Sequence, residues 1–135
     1  MYAAKGIGLA AIQIGIPKRI IVIDLNKDEK KNPMYFVNPI IKQKNSVNSI
    51  YEEGCLSVPN QFAEIERPST CEVKYLDYNG NEKILKAEGL LATCIQHEMD
   101  HLEGVLFIDY LSKLKKTMIV KKLSKQTKSP DRIIV

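Results

Sequence analysis

The chain is poor in histidine, has an odd cysteine count, and carries no long apolar run. Its 135 residues include only two histidines, His97 and His101. Its cysteines, Cys55, Cys71 and Cys94, are an odd set with no paired spacing. That excludes a disulfide scaffold and fits reduced thiols in a cytoplasmic setting. No window approaches the roughly 18 apolar residues of a membrane-spanning helix. The apolar stretch 6–16 carries Gln13 and lacks the basic flank and cleavage site of a secretory signal. No internal repeat and no long linker interrupt the chain, and a composition of 44% hydrophobic and 27% charged residues suits one globular domain. Acidic residues are missing from 112–130, where seven lysines fall. Such a segment is drawn to phosphate-rich surfaces such as RNA, although a solvated helix face has the same composition.

Both histidines lie in one string, Gln96-His97-Glu98-Met99-Asp100-His101. On an α-helix, residues i and i+4 share a face, so both imidazoles can reach one metal ion. The intervening Glu98 then sits beside the metal, free to move protons. A chance HExxH string, or an apolar helix burying two core histidines, would need no third ligand. A catalytic site needs one, plus a water. A glutamate about twenty residues downstream, the thermolysin arrangement, would fall among Val120, Lys121 and Lys122. A third histidine at metzincin spacing would fall at Phe107. Glu103 and Asp109 match neither pattern. The remaining candidate is Cys55, in Glu52-Glu53-Gly54-Cys55-Leu56-Ser57. A lone cysteine is more often a small core residue, but a thiolate beside a metal is stabilised by it. A Cys-His-His site with one open position follows.

The start of the chain, Gly6-Ile7-Gly8-Leu9-Ala10-Ala11-Ile12-Gln13, fits G-x-G-x-x-A, with Asp24 further on. A dinucleotide site needs a strand ahead of that loop, and only five residues precede it. The better reading is that the glycines let backbone or ligand approach closely. Gln13 then projects an amide donor toward a carbonyl or oxyanion.

Periodicity predicts an α+β fold: short, mostly antiparallel strands around one central metal-binding helix, with a C-terminal helix. A buried strand is expected at 19–25 and a surface loop at 26–33. Residues 34–41, broken by Pro39, should form a strand running into an irregular edge. Extended segments at 49–52 and 56–58 flank Gly54-Cys55. A hairpin is expected at 71–87 around Asn79-Gly80. The buried helix should span 88–103 and end at Gly104, followed by an extended piece at 105–108. Leu111, Leu114, Met118 and Leu123 mark a looser helix, stopped by Ser129-Pro130.

Three segments, 6–13, 53–57 and 96–101, match in order and spacing the three signature motifs of the peptide deformylases, and the resemblance extends over residues 1–125. It implies a metal-dependent hydrolase that removes the N-formyl group from the formylmethionine of new polypeptides and releases formate. By resemblance, Cys55, His97 and His101 hold the metal and Glu98 is the general acid/base. Gln13 and the Leu56 N–H form the oxyanion site, and backbone groups of Gly8 and Gly54 bind substrate as an added strand. An apolar pocket including Ile7, Leu90, Cys94 and His97 takes the methionine side chain. The metal implied is one divalent ion, natively Fe²⁺, with Zn²⁺, Ni²⁺ or Co²⁺ as substitutes. The lysine-rich end resembles the helix by which bacterial members dock on the ribosome. No DNA, membrane or oligomeric partner is implied.

Members usually begin with a further segment that includes a helix. Met1-Tyr2 falls where that helix would end, so the resemblance implies a catalytic domain at 1–128 without that segment, and a tail at 129–135. The sequence also departs from the pattern at Phe62, where many bacterial members carry a substrate-contacting arginine, so peptide contacts beyond methionine should differ. Asp100 either supports a ligand from behind or pairs locally. Glu53 is expected to pair with Arg67, and Cys71 and Cys94 to be core thiols. Two rival readings remain: a zinc endopeptidase of another HExxH family, and a catalytically silent ribosome-binding fragment.

Overall fold

The computed structural model describes residues 1–26 and 30–128, with side chains to residue 125. It contains a five-stranded antiparallel sheet, a separate two-stranded ribbon, a central helix lodged between them, and a second helix at the far end. The strands are β1 (Gly8–Ala10), β2 (Ile20–Ile23), β3 (Met34–Lys44), β4 (Asn48–Cys55), β5 (Val58–Pro68), β6 (Thr70–Leu76) and β7 (Glu82–Glu88). The helices are α1 (Gly89–Leu102) and α2 (Lys113–Lys128). The sheet order is β1-β2-β3-β6-β7, and β4 pairs with β5 as the ribbon.

The run Ile20-Ile21-Val22-Ile23 is β-branched throughout, which favours an extended backbone. Its alternate residues Ile21 and Ile23 are fully buried. With Phe36, Val73, Ala87 and Ile95 they form the core between the sheet and α1. Each large apolar side chain buried there contributes about 1.5–3 kcal/mol. A second cluster, Val58, Ile65, Phe107, Ile108 and Ile119, lies beneath the ribbon and includes the partly buried Cys55 at its margin.

Helix α1 is buried at every position from Ala92 to Glu98. A helix buried on consecutive residues must be covered all round, and here the sheet and the ribbon do so from different sides. Its end is a Schellman cap: the Gly104 N–H donates to the His101 carbonyl and the Val105 N–H to the Asp100 carbonyl. Gly104 takes a φ of 74°, which a side chain would strain. The second metal-candidate histidine therefore sits on the last, firmly capped turn.

The expected hairpin is present, with β6 and β7 in continuous register around a turn in which Gly80 has φ 80°. Other expectations need correction. Strand β3 is not an edge: it runs between β2 and β6. Pro39 is tolerated in a central strand because the register shifts between Val37 and Ile40, a bulge that needs no N–H at that position. The eleven-residue strand β5 was not anticipated beyond its first residue. Its inward positions are Gln61, Ala63, Ile65 and Arg67, and two polar residues among four hide the alternation. Residues Phe107–Tyr110 form a 3₁₀ turn rather than an extended piece. In α2 Ile119 and, as expected, Leu123 pack inward, whereas Leu114 and Met118 are exposed. The middle of the expected 26–33 loop and the Ser129-Pro130 stop lie outside the described residues.

Candidate metal centre

Cys55 ends β4, and Leu56 and Ser57 turn the chain back into β5. This turn packs against the buried face of α1. The Cys55 Sγ lies 3.2 Å from the His101 Nε2. One donor atom each from Cys55, His97 and His101 falls within 4.8 Å of the others. The two imidazoles lie edge to face with centroids 5.2 Å apart, as the i, i+4 spacing requires.

The electrostatics of the three residues suit a cation. Burial would raise the Cys55 thiol, but hydrogen bonds from His101 and His97 and from the Ser57 N–H outweigh it and bring the thiol down to about 5. Burial would lower His97, but contacts with Cys55, Glu53 and Glu98 raise it to about 9. A thiol and an imidazolium must give up their protons to bind a metal, so metal binding at such a site is coupled to proton release. A thiolate and two neutral imidazoles fit a first-row divalent ion. Cys94 behaves differently: burial pushes its thiol up to about 12, leaving a neutral, apolar wall.

His97 is oriented from behind. Its Nδ1 donates to Glu53 Oε1 at 2.8 Å, which leaves Nε2 for the metal side. Glu53 in turn accepts from Arg67 at Nε (2.7 Å) and Nη2 (3.0 Å), the expected pair. The third guanidinium nitrogen donates to Asp100 at 2.8 Å. The Tyr110 hydroxyl also donates to Asp100, at 2.7 Å, and its ring lies under the guanidinium. Asp100 thus acts on neither imidazole directly: it holds Arg67, which holds Glu53, which holds His97. Sequence reasoning missed Tyr110, which ends the Phe107–Tyr110 turn and carries no motif or periodicity that ties it to Asp100.

Glu98 is 5% exposed, and its Oε1 lies 3.9 Å from the His97 Nε2. Its Oε2 is buried with no partner among the described residues. Burial pushes this carboxyl up to about 7, opposed by His97 and His101. Gly8 lies against it: a Cβ there would come 2.9 Å from Oε1 and 3.1 Å from Cγ. We expect Gly8→Ala to displace the carboxylate and lower turnover on the order of 10²-fold, while metal content stays unchanged. Kinetics and metal analysis on one sample check this, and wild-type turnover would refute it.

Gln13 reaches the site from the 3₁₀ turn Ala11–Ile14. The Ala10 N–H donates to its Oε1 at 2.8 Å, which fixes the amide so that Nε2 faces the metal candidates. Nε2 donates to Ser57 Oγ at 2.9 Å and contacts Cys55 Sγ at 3.6 Å. A cavity of about 580 Å³ opens here, lined by Ile7, Gly8, Gln13, Gly54, Cys55, Leu56, Leu90, Cys94, His97 and Glu98 among others. Its lining includes every candidate residue of the sequence reading except His101. Asp24, by contrast, accepts from the Tyr2 hydroxyl and from the Asn26 and Asn32 N–H groups, a structural anchor rather than a ribose ligand.

A cysteine and two histidines converging beside a buried carboxylate, at the wall of a cavity, are the arrangement of a metallohydrolase. A sequence model described as polypeptide deformylase matches residues 1–117. The peptide deformylase of Pelagibacter ubique is 78% identical over all of this chain, which spans 78% of that protein's length. The Maricaulis maris peptide deformylase is 61% identical over 98% of the chain and 76% of its own length. The crystal structure of the Ehrlichia chaffeensis enzyme in complex with actinonin superposes with a TM-score of 0.87 at 44% identity, covering 96% of this chain and 78% of that one. The chain belongs to the peptide deformylase family. The endopeptidase and silent-fragment readings find no support in these relatives.

Proposed function

We propose that this protein removes the N-formyl group from the N-terminal formylmethionine of newly synthesised polypeptides, releasing formate. The observation that carries this reading is the convergence of Cys55, His97 and His101, with Cys55, His97 and Glu98 lining one cavity. A divalent metal held by these three residues, Fe²⁺ natively, would acidify a water and polarise the formyl oxygen.

The remaining roles belong to the chain. The methionine side chain enters the apolar part of the cavity along Ile7, Leu90 and Cys94. Backbone groups of Gly8 and Gly54 hold the peptide as an added strand, which demands little of its sequence. Glu98 takes the proton of the attacking water and passes it to the leaving amine. The Gln13 amide and the Leu56 N–H face the oxygen on which negative charge develops. Glu53 keeps His97 in the tautomer that exposes Nε2. The exposed lysines of α2, Lys115, Lys121 and Lys122 among them, favour docking of a monomer on the ribosome in the cytoplasm. No helix among the described residues is long and apolar enough to cross a membrane.

The test is formate release from formyl-Met-Ala-Ser by protein purified without oxygen, with metal assayed on the same sample. Turnover with about one metal per chain supports the reading, and bound metal without turnover defeats it. In the same assay Cys55→Ala should lose both metal and activity, since two imidazoles alone hold a divalent ion poorly. Full metal occupancy in that variant would remove Cys55 from the ligand set.

A further inference from the structure

Building on the deformylase reading, we infer that the Thr93 hydroxyl recognises the sulfur of the methionine side chain, so that the protein prefers formylmethionine to its all-carbon isostere, formylnorleucine. Thr93 is 3% exposed, and its Oγ1 is buried with no hydrogen-bond partner among the described residues. A threonine inside a helix ordinarily turns its hydroxyl back onto a carbonyl of the preceding turn. Here it does not, and a buried hydroxyl left unpaired calls for an explanation. Three other buried side-chain atoms lack a partner. Ser49 and Gln96 are not part of the cavity lining, and Glu98 is the proton carrier. Thr93 lines the cavity with no role yet assigned to it.

Leu90, Thr93, Cys94 and His97 all line the cavity. Their spacing, i, i+3, i+4 and i+7, places them on one face of α1. That face is the wall along which the methionine side chain runs. Thr93 stands four residues before His97, about 6 Å along the helix axis. An extended formylmethionine spans roughly the same distance, about 6 Å, from its formyl carbon to its sulfur. With the formyl group at the metal ligands and the side chain along α1, the sulfur comes level with Thr93. Tyr51 lines the same end of the cavity. A Cβ on Gly89, one turn before Thr93, would lie 3.6 Å from the Tyr51 hydroxyl oxygen.

Methionine and norleucine have nearly the same shape and differ in one group. Norleucine carries a methylene where methionine has its sulfur. A wall made of carbon alone favours the methylene or treats the two alike, since its attraction scales with apolar surface. A thioether sulfur, in contrast, accepts a hydrogen bond, although weakly. The Thr93 hydroxyl can donate to it and so gain the partner it lacks, which norleucine does not offer. The sign of the preference therefore reports on the hydroxyl, because the hydrophobic contribution does not favour methionine.

The experiment compares kcat/KM for formyl-Met-Ala-Ser and formyl-norleucyl-Ala-Ser, using the metal-loaded protein and its Thr93→Val, Thr93→Ser and Tyr51→Phe variants. The unaltered protein should favour methionine about three- to tenfold. Thr93→Val keeps the shape and removes the hydroxyl, so the ratio should fall to one or below. Its Tm should hold or rise, because an unpaired buried group is lost. Thr93→Ser keeps the hydroxyl and should keep the preference. Turnover of both peptides by the unaltered protein at an even or norleucine-favouring ratio would overturn the inference alone. A methionine preference that survives Thr93→Val would also overturn it, and its loss in Tyr51→Phe instead would assign the recognition to Tyr51. Turnover of neither peptide, with metal bound, would defeat the deformylase reading and the inference together.

Discussion

Glu98→Ala leaves the metal bound and lowers kcat by about 10²–10⁴-fold, the usual contribution of a positioned general acid/base. The argument is geometric. Glu98 follows His97 directly, so α1 carries the carboxylate to the cavity wall, and its Oε1 lies 3.9 Å from the His97 Nε2. It makes no ion pair with a lysine or arginine among the described residues, and its Oε2 has no partner. A buried carboxylate with so little support does not hold the fold together; removing it should leave stability unchanged or slightly raised. Activity and stability therefore move apart. Formate release, metal content and thermal melting on one preparation test all three statements. Near-normal turnover would dismiss Glu98 as the proton carrier, and loss of metal would make it a ligand instead.

Arg67→Leu should be the most destabilising single substitution near the site. Arg67 is 4% exposed and makes charge-assisted bonds to Glu53 twice and to Asp100 once. Burial opposes its charge, but the two carboxylates more than compensate and keep it protonated. Removing it leaves Glu53, itself 6% exposed, with the His97 N–H but no guanidinium to balance its buried charge. Breaking such a pair costs about 3–5 kcal/mol, a fall in Tm of roughly 10–20 °C for a domain of this size. The effect should reach the metal, because Glu53 fixes the His97 ring: affinity should fall about 10–100-fold. Removing both partners, as Arg67→Leu with Glu53→Leu, should recover part of the lost stability but none of the lost affinity. A Tm within a few degrees of wild type for the single variant would show that the network contributes little.

The two variants probe different parts of the same helix. Glu98 and Cys94 face the cavity, whereas Asp100 faces the Arg67 network. The helix can serve both because it is covered on more than one side, and its buried polar side chains divide between structural and catalytic use. Gln96 illustrates the first case: its Nε2 donates to the Pro68 and Ala92 carbonyls and touches nothing in the cavity. Glu98 illustrates the second.

The sequence by itself determined whatever depends on neighbours along the chain. The i, i+4 spacing of His97 and His101 put both imidazoles on one face. Gly104 ended that helix with a left-handed residue, and Asn79-Gly80 turned β6 into β7. These are local periodicities and local dihedral preferences, and no distant contact overrode them. Elimination among possible third ligands pointed to Cys55, but only the tertiary structure brought it to His101 across 46 residues, because that approach depends on the pairing of β4 with β5 and on the packing of both against α1. The same long-range pairing hid β5 from view. Its inward positions include Gln61 and Arg67, which are polar by type yet buried, and Arg67 is held there by Glu53 and Asp100 from two other elements. Pro39 argued for an edge, and a bulge set by the β3–β6 register made it central. A residue's type shows what it can do; its partners across the fold decide whether a charge is buried, a carboxylate left free or a hydroxyl left unpaired in the wall of a cavity.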